Sequence, residues 1–255
     1  EVMWADPASE AAALLQRTDY AQPALFALQV ALWRLWQSWG VQPEVVLGHS
    51  IGEIAAAYVA GVMDLADACR LVATRGKLMH ALPESGRMVA LEAGVSDISA
   101  AIEQLSVDDR VSIAGINTQA QVVASGDMDA IDKLVAHFTS KGRQSKVLKT
   151  SRAFHSHHLD DNILASLRTV AESIVFKTQS LPIVSTVTGK LAEPGQLSNA
   201  DYWVQQARSP VLFAEGIKTL ANQGTNCFVE LGPGSTLCGM GASCLDEYSQ
   251  ANEKT

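Results

Sequence analysis

Charge is scarce in this chain: 19 basic and 27 acidic side chains among 255 residues leave 18% charged and a net charge of −8. A shortage of basic residues excludes sequence-independent nucleic-acid binding, which depends on neutralising phosphates. Cysteine is scarcer still. Cys69, Cys227, Cys238 and Cys244 form no C-x-x-C pair and no zinc-like spacing, so they read as reduced thiols of an intracellular protein. No stretch reaches the roughly 18 uninterrupted apolar residues of a membrane span, and no signal-peptide pattern opens the sequence. A cytoplasmic protein that neither spans a membrane nor binds nucleic acid is the expectation. Aromatic residues make up 6%, but 47% hydrophobic content over this length suffices for one large domain, or a large one with an inserted small one.

The most informative stretch is Val45-Val46-Leu47-Gly48-His49-Ser50-Ile51-Gly52-Glu53. An apolar strand runs into Gly-His-Ser-Ile-Gly, and an alanine-rich helix is predicted over 54–63. This is the strand-turn-helix context of a nucleophile elbow. The glycines suit a strained turn in which a neighbouring side chain would collide with strand or helix. Free backbone N–H groups and the positive end of the helix dipole would face Ser50, where an oxyanion could be held. Taken alone, the pattern fits a catalytic serine and an ordinary strand-helix turn about equally.

Periodicity organises the remainder. Helices are predicted over 24–39, after a break at 19–23, and over 64–82 with Asp64 as cap. A strand over 87–92, a helix over 96–105 capped by Ser96, strands over 111–116 and 121–125, a helix over 127–140 and a strand over 143–149 follow. That β-α-β-β-α-β order is the ferredoxin-like pattern, and it closes on itself as an inserted unit must. Beyond it, helices over 159–172 and 212–223, with a helix or turn at 202–206 broken by Pro210, alternate with strands over 182–187 and 227–231. Gly232-Pro233-Gly234 reads as a tight turn, Gly239 and Gly241 as sites of close helix-strand approach, and 247–255 as a polar tail or linker. The expected fold is α/β. A large subdomain resembling α/β-hydrolases, with a parallel sheet and the elbow, comprises 1–85 and 151–246, and a small ferredoxin-like subdomain comprises 86–150.

A serine nucleophile needs a base. His49 adjoins Ser50 and reads as packing or hydrogen-bonding support, while His80 and His137 lie in helical stretches. His155, His157 and His158 crowd the junction where the small unit rejoins the large one, and a histidine there can reach the elbow. His155, His158 and Asp161 could share a helical face and suggest metal ligands, but no second ligand cluster exists and no metal is expected. Arg75, in Leu71-Val72-Ala73-Thr74-Arg75-Gly76, fits either a solvated helix-end charge or a guanidinium held dry to grip a substrate carboxylate. Pattern does not separate the two.

Seven motifs follow one another at the spacings of a known family. They are Tyr20-Ala21-Gln22-Pro23-Ala24; Gly48-His49-Ser50-Ile51-Gly52-Glu53; Arg75-Gly76; Asn117 with Val122-Val123-Ala124-Ser125-Gly126; Ala153-Phe154-His155-Ser156; Tyr202-Trp203 with Ser209-Pro210-Val211; and Glu230-Leu231-Gly232-Pro233-Gly234. From Asp19 to about Met240 the chain resembles the acyltransferase domains of polyketide synthases, which are similar to malonyl-CoA:acyl-carrier-protein transacylases. The resemblance implies Ser50 as nucleophile and His155 as general base and acid. A backbone carbonyl near Gln206 would orient the imidazole in place of a carboxylate. Arg75 would bind the free carboxylate of a dicarboxylic acyl unit and the Ile51 N–H would donate to the oxyanion. Asn117, Phe154 and His49 would line the acyl site. No bound cofactor is implied. The substrates would be malonyl-CoA and the phosphopantetheine thiol of an acyl carrier protein, and the partners that carrier with adjacent ketosynthase and linker domains.

Within that family an aliphatic residue after the serine, together with His-Ala-Phe-His, tends to accompany malonyl transfer. A glutamine there with Tyr-Ala-Ser-His tends to accompany methylmalonyl. Ile51 and Arg152-Ala153-Phe154-His155 point to malonyl, although Arg152 departs from the usual histidine. The family's N-terminal strand and Gly-Gln-Gly turn have no counterpart before Glu1, so the sequence looks truncated and weak activity is expected of it alone. Arg143, Lys146, Lys149 and Arg152 form a basic run that could steer a carrier protein or CoA, or could simply be a solvated strand face. A methylmalonyl-specific transferase, a serine hydrolase or thioesterase, and an inactive docking fragment are the alternatives. Arg75 weighs against the hydrolase, because an ordinary esterase has no use for a buried cation.

Overall fold

A computed structural model describes residues 2–252. In chain order the elements are α1 Glu10–Ala13, α2 Thr18–Ser38, β1 Val46–Leu47, α3 Gly52–Val59, α4 Leu65–His80, β2 Gly86–Leu91, α5 Val95–Gln104 and β3 Val111–Ile116. There follow β4 Val122–Asp127, α6 Met128–Ser140, β5 Ser145–Val147, α7 Asp161–Glu172, β6 Ile183–Ser185, β7 Lys190–Leu191, α8 Ala200–Arg208, α9 Phe213–Asn222 and α10 Thr236–Asn252.

Two sheets result. In the first, β1 pairs parallel with β6, and β6 antiparallel with β7. Helices α2, α3, α4, α7 and α8 cover it with one apolar cluster that includes Phe26, Ile54, Leu71, Met79, Leu167 and Trp203. In the second, the order β3-β4-β2-β5 with every neighbour antiparallel is the ferredoxin-like arrangement. Side chains along β2 alternate between its faces, as the pleat requires. Val89 and Leu91 join the core formed with α5 and α6, while Met88 packs with Ala114, Val123 and the half-buried Phe154. That second face therefore looks toward the loop carrying His155.

One short segment joins the sheets. Val211 N–H donates to Ala114 O at 2.9 Å and Val211 O accepts from Ile116 N at 2.9 Å, while Leu212 N donates to Thr186 O at 2.8 Å. Main-chain bonds thus run from β3 across 211–212 to the end of β6, without a loose hinge between them.

Several sequence expectations need correction. Helix α2 starts at Thr18 and carries Pro23 at its sixth position, where the lost bond to Asp19 O and the crowding of that carbonyl are outweighed by the packing of Phe26 and Val30 in the core. Helix α5 is capped by Gly94, not Ser96. The apolar run 227–231 forms no strand: it has no ladder partner among the described residues, and Val229 is 52% exposed. Residues up to 252 of the expected polar tail belong to α10, and 253–255 lie outside the described residues. A methyl at Gly239 would meet nothing and one at Gly241 only the Ile217 Cδ1 at 3.6 Å, so neither glycine serves a close approach. Helix α10 tolerates both because Leu237, Met240, Cys244 and Leu245 pack on Phe213, Ile217 and Leu220, which outweighs about 1 kcal/mol per glycine.

Trp203 anchors α8. Its indole N–H donates to Leu197 O at 3.0 Å and its ring stacks on Phe176 at 6.4 Å. Trp203→Ala is expected to cost about 3–5 kcal/mol of stability in urea unfolding, whereas Val229→Ala should leave the midpoint nearly unchanged.

Candidate active site

The turn after β1 is as tight as expected at Gly48 but not at Gly52, where a Cβ would meet only Gln29 Nε2 at 3.4 Å. A Cβ on Gly48 would lie 2.3 Å from the backbone of Gly52 and Glu53, a contact no side chain can make. Ser50 occupies the left-handed region at φ 52°, a backbone state that costs a non-glycine residue roughly 1–3 kcal/mol. The turn is held by Gly52 N donating to His49 O at 2.9 Å, Glu53 N to Ser50 O at 3.0 Å and Ile54 N to Ile51 O at 3.1 Å. Ser50 O also accepts from Gln206 Nε2 at 2.8 Å.

His155 is buried and likewise left-handed, at φ 51°. Its Nε2 lies 2.8 Å from Ser50 Oγ and its Nδ1 2.8 Å from Ser209 O. A carbonyl can only accept, so Nδ1 carries the proton and Nε2 offers its lone pair to the serine hydroxyl. That is the tautomer a general base needs. The orienting carbonyl belongs to Ser209, not Gln206. Helix α8 ends at Arg208, which frees the next carbonyl to face the ring, whereas Gln206 acts through its side chain on the serine's own carbonyl.

Arg75 is 3% exposed. From α4 its Nη2 donates to Ser50 Oγ at 3.0 Å and its Nη1 to Gln22 Oε1 at 2.9 Å, while its Nε is buried without a partner among the described residues. Burial lowers its pKa to about 10, partly offset by attraction to Glu53, so it is a cation at neutral pH. Burial first and the Arg75 charge second bring His155 down to about 3, although the Ser209 carbonyl acts the other way. The imidazole is neutral throughout the physiological range.

The other expected site residues divide. His49 Nε2 sits 3.0 Å from Asn117 Oδ1, with its ring tilted on Phe213 at 5.6 Å, so these two side chains are committed to each other. Phe154, next to His155, packs between the main core and the second sheet. Arg143, Lys146 and Lys149 are exposed. Arg152 is set apart from them: it donates to the carbonyl of His80 and pairs with Glu84 at 3.1 Å, so it is no free steering charge. His155 does not share a face with His158 and Asp161. Instead His157 and His158 bring their Nε2 atoms within 3.2 and 2.7 Å of Asp127 Oδ1, and both Nδ1 atoms are buried without partners. A ligating histidine normally donates its second N–H, so this geometry suits two donors on a carboxylate. Asp127 is held at about 2, against its own burial, by these rings and Arg110. Gln22, Ser209 and Glu53 had gone unassigned, though each lies within or beside a motif quoted above.

The family model for the acyl transferase domain matches residues 6–255. A PKS-NRPS hybrid synthetase of Aspergillus niger is 79% identical over 254 residues, which is 99% of this chain and 14% of that protein. The chain thus spans about one seventh of that relative. The acyltransferase domain from the second module of the salinomycin polyketide synthase superposes with a TM-score of 0.87 at 44% identity, over 94% of this chain and 55% of that one. A malonyl CoA-acyl carrier protein transacylase from Burkholderia pseudomallei gives 0.85 at 28% identity, over 92% of this chain and 82% of that one.

The lowered basicity of His155 has a pH signature. Its folded pKa lies below its unfolded one, so its contribution to stability is complete above about 6.5 and is lost as pH falls toward about 3. Modification of Ser50 by a fluorophosphonate should accordingly stay flat from about pH 8 to about pH 5. An inflection near the ordinary histidine value would show that the ring is not held neutral.

Proposed function

Since the chain belongs to the acyl transferase domain family, we propose that it loads malonyl from malonyl-CoA onto Ser50 and passes it to the phosphopantetheine thiol of an acyl carrier protein in polyketide assembly. The observation that carries this reading is the buried Arg75 guanidinium 3.0 Å from the Ser50 hydroxyl. A cation that close can meet a carboxylate only a couple of bonds beyond the reacting carbonyl carbon, which describes malonyl and excludes long dicarboxylic chains. An acyl group without a carboxylate leaves Arg75 desolvated and unpaired, which supports rejection of acetyl units.

His155 Nε2 removes the Ser50 proton as Oγ attacks the thioester carbonyl, and then protonates the departing CoA thiolate. In the second half it deprotonates the carrier's thiol, which attacks the acyl-serine and restores Ser50. The developing oxyanion faces the Ile51 N–H, just ahead of the committed amides of Gly52, Glu53 and Ile54. Burial is the larger cause of the weak basicity of His155 and the Arg75 charge the next; pairing of the substrate carboxylate with Arg75 offsets the second, so the base strengthens once the correct substrate is seated. Phe154 crowds the space a methyl branch would need, favouring malonyl over methylmalonyl. Arg143, Lys146 and Lys149, exposed in a chain of net charge −8, suit an acidic carrier protein. Adjacent ketosynthase and linker domains are the remaining partners.

Intact mass spectrometry should find one malonyl group on the protein, absent from Ser50→Ala. Malonyl-CoA should outcompete methylmalonyl-CoA by about 10-fold or more, the worth of one methyl group in a fitted pocket. Preferential loading of the branched unit overturns the specificity. Arg75→Ala should reduce malonyl loading by about 10- to 100-fold, as expected for a lost charged hydrogen bond, while sparing acetyl loading. Release of free malonate instead of transfer to the carrier would identify a hydrolase. Charge reversal at Lys146 and Lys149 should slow carrier transfer at low salt and have little effect at high salt.

A further inference from the structure

Glu53 takes no part in the chemistry above, yet it is a wholly buried carboxylate at 0% exposure, one turn beyond the nucleophile. Four donors converge on it. Oε1 accepts from Thr186 N at 2.9 Å and from the Tyr202 hydroxyl at 2.5 Å, while Oε2 accepts from the Thr186 hydroxyl and from Gln206 Nε2 at 3.2 Å. The Tyr202 oxygen lies 2.7 Å from Ser185 Oγ, which itself accepts from the amides of Val187 and Thr188. Two of the four donors, the Thr186 amide and the Gln206 carboxamide nitrogen, cannot turn round and accept. These donors favour the ionised carboxylate, whereas burial works against it and raises its pKa above the ordinary glutamate value.

Gln206 is where this network meets the nucleophile. Its Nε2 reaches both Glu53 and, at 2.8 Å, the Ser50 carbonyl, while its own Oε1 is buried with no partner among the described residues. The amide's orientation is imposed by those two acceptors at the expense of its oxygen. The peptide so gripped is the one leaving the left-handed Ser50. Beyond Gln206, the Ser209 carbonyl that directs His155 lies three residues along the same stretch.

The geometry points to Glu53 as a positioning residue that, through Gln206, fixes the Ser50 backbone against relaxation. The role rests on the acyl-transfer reading only in taking Ser50 as the nucleophile. In Glu53→Gln a carboxamide N–H₂ must face either the Gln206 amide, which pushes that side chain off Ser50, or the Thr186 amide, which disrupts the network that seats Gln206; either way donor meets donor.

The test uses the full chain with Glu53→Gln, Gln206→Leu and both together, measuring urea unfolding, fluorophosphonate modification of Ser50, and kcat and KM for malonyl loading. Gln206→Leu removes an amide whose oxygen is already unpartnered, so it keeps the fold even where Glu53→Gln does not. Each single variant should slow Ser50 modification and kcat by about tenfold or more, as loss of reactive geometry does, with KM changed less than about threefold. The double variant should be scarcely slower than the worse single one, because the two act in series. Folded single variants that react within about twofold of the parent, or losses that multiply in the double, overturn the proposal. Failure of the unsubstituted protein to accept malonyl would instead overturn the acyl-transfer reading and leave the fluorophosphonate comparison intact.

Discussion

The turn between β1 and α3 has no room for a β-carbon at Gly48, and its central residue is a serine in a conformation that L-residues avoid. Left alone, such a backbone would relax and carry the hydroxyl away from its partners. Three main-chain bonds at the start of α3 and the Gln206 amide prevent this. Much of the large subdomain can be understood as support for that turn. Helices α3 and α4 bury apolar faces in one core, which brings Arg75 to the serine, and α8 is pinned by Trp203 so that Gln206 and Ser209 arrive in register. The local cost is roughly 1–3 kcal/mol, and the surrounding packing is extensive enough to sustain it.

The second sheet contributes differently. Its core with α5 and α6 is self-contained, and its other face meets the loop that carries His155. That loop is tied down beyond the histidine, where His157 and His158 both donate to Asp127 at the end of β4. Arg110 holds the same carboxylate from the other side. His155 is thus fixed by its neighbours in sequence as well as by the carbonyl it faces.

Legibility in the sequence followed the range of the interactions. The elbow was readable because Gly48 and a strand-helix boundary are local necessities, and the β-α-β-β-α-β unit because period-two and period-3.6 patterns alternate within it. Ser50, His155 and Arg75 could be singled out by residue type and motif, whereas their meeting depends on chain segments 25 and 105 residues from the serine. The imidazole's carbonyl partner was placed three residues early because backbone atoms leave no compositional trace. Glu53 is by position a first-turn acid of α3, and only the fold shows that four donors surround it. The segment 227–231 misled because an apolar run marks strand tendency, while a strand also needs a neighbour with free hydrogen bonds. Helix α10 was hidden by glycines that tertiary packing tolerates.

The two halves of the proton-transfer pair sit on different supports: Ser50 on the edge of the first sheet, His155 on the loop over the second. The 2.8 Å hydroxyl–imidazole bond is therefore a gauge of how the sheets are seated, and the stitch at 211–212 sets its zero. A displacement of about an ångström, too small to melt a helix, breaks the contact on which proton transfer depends. Main-chain bonds well away from the reacting atoms thus set the geometry on which proton transfer depends.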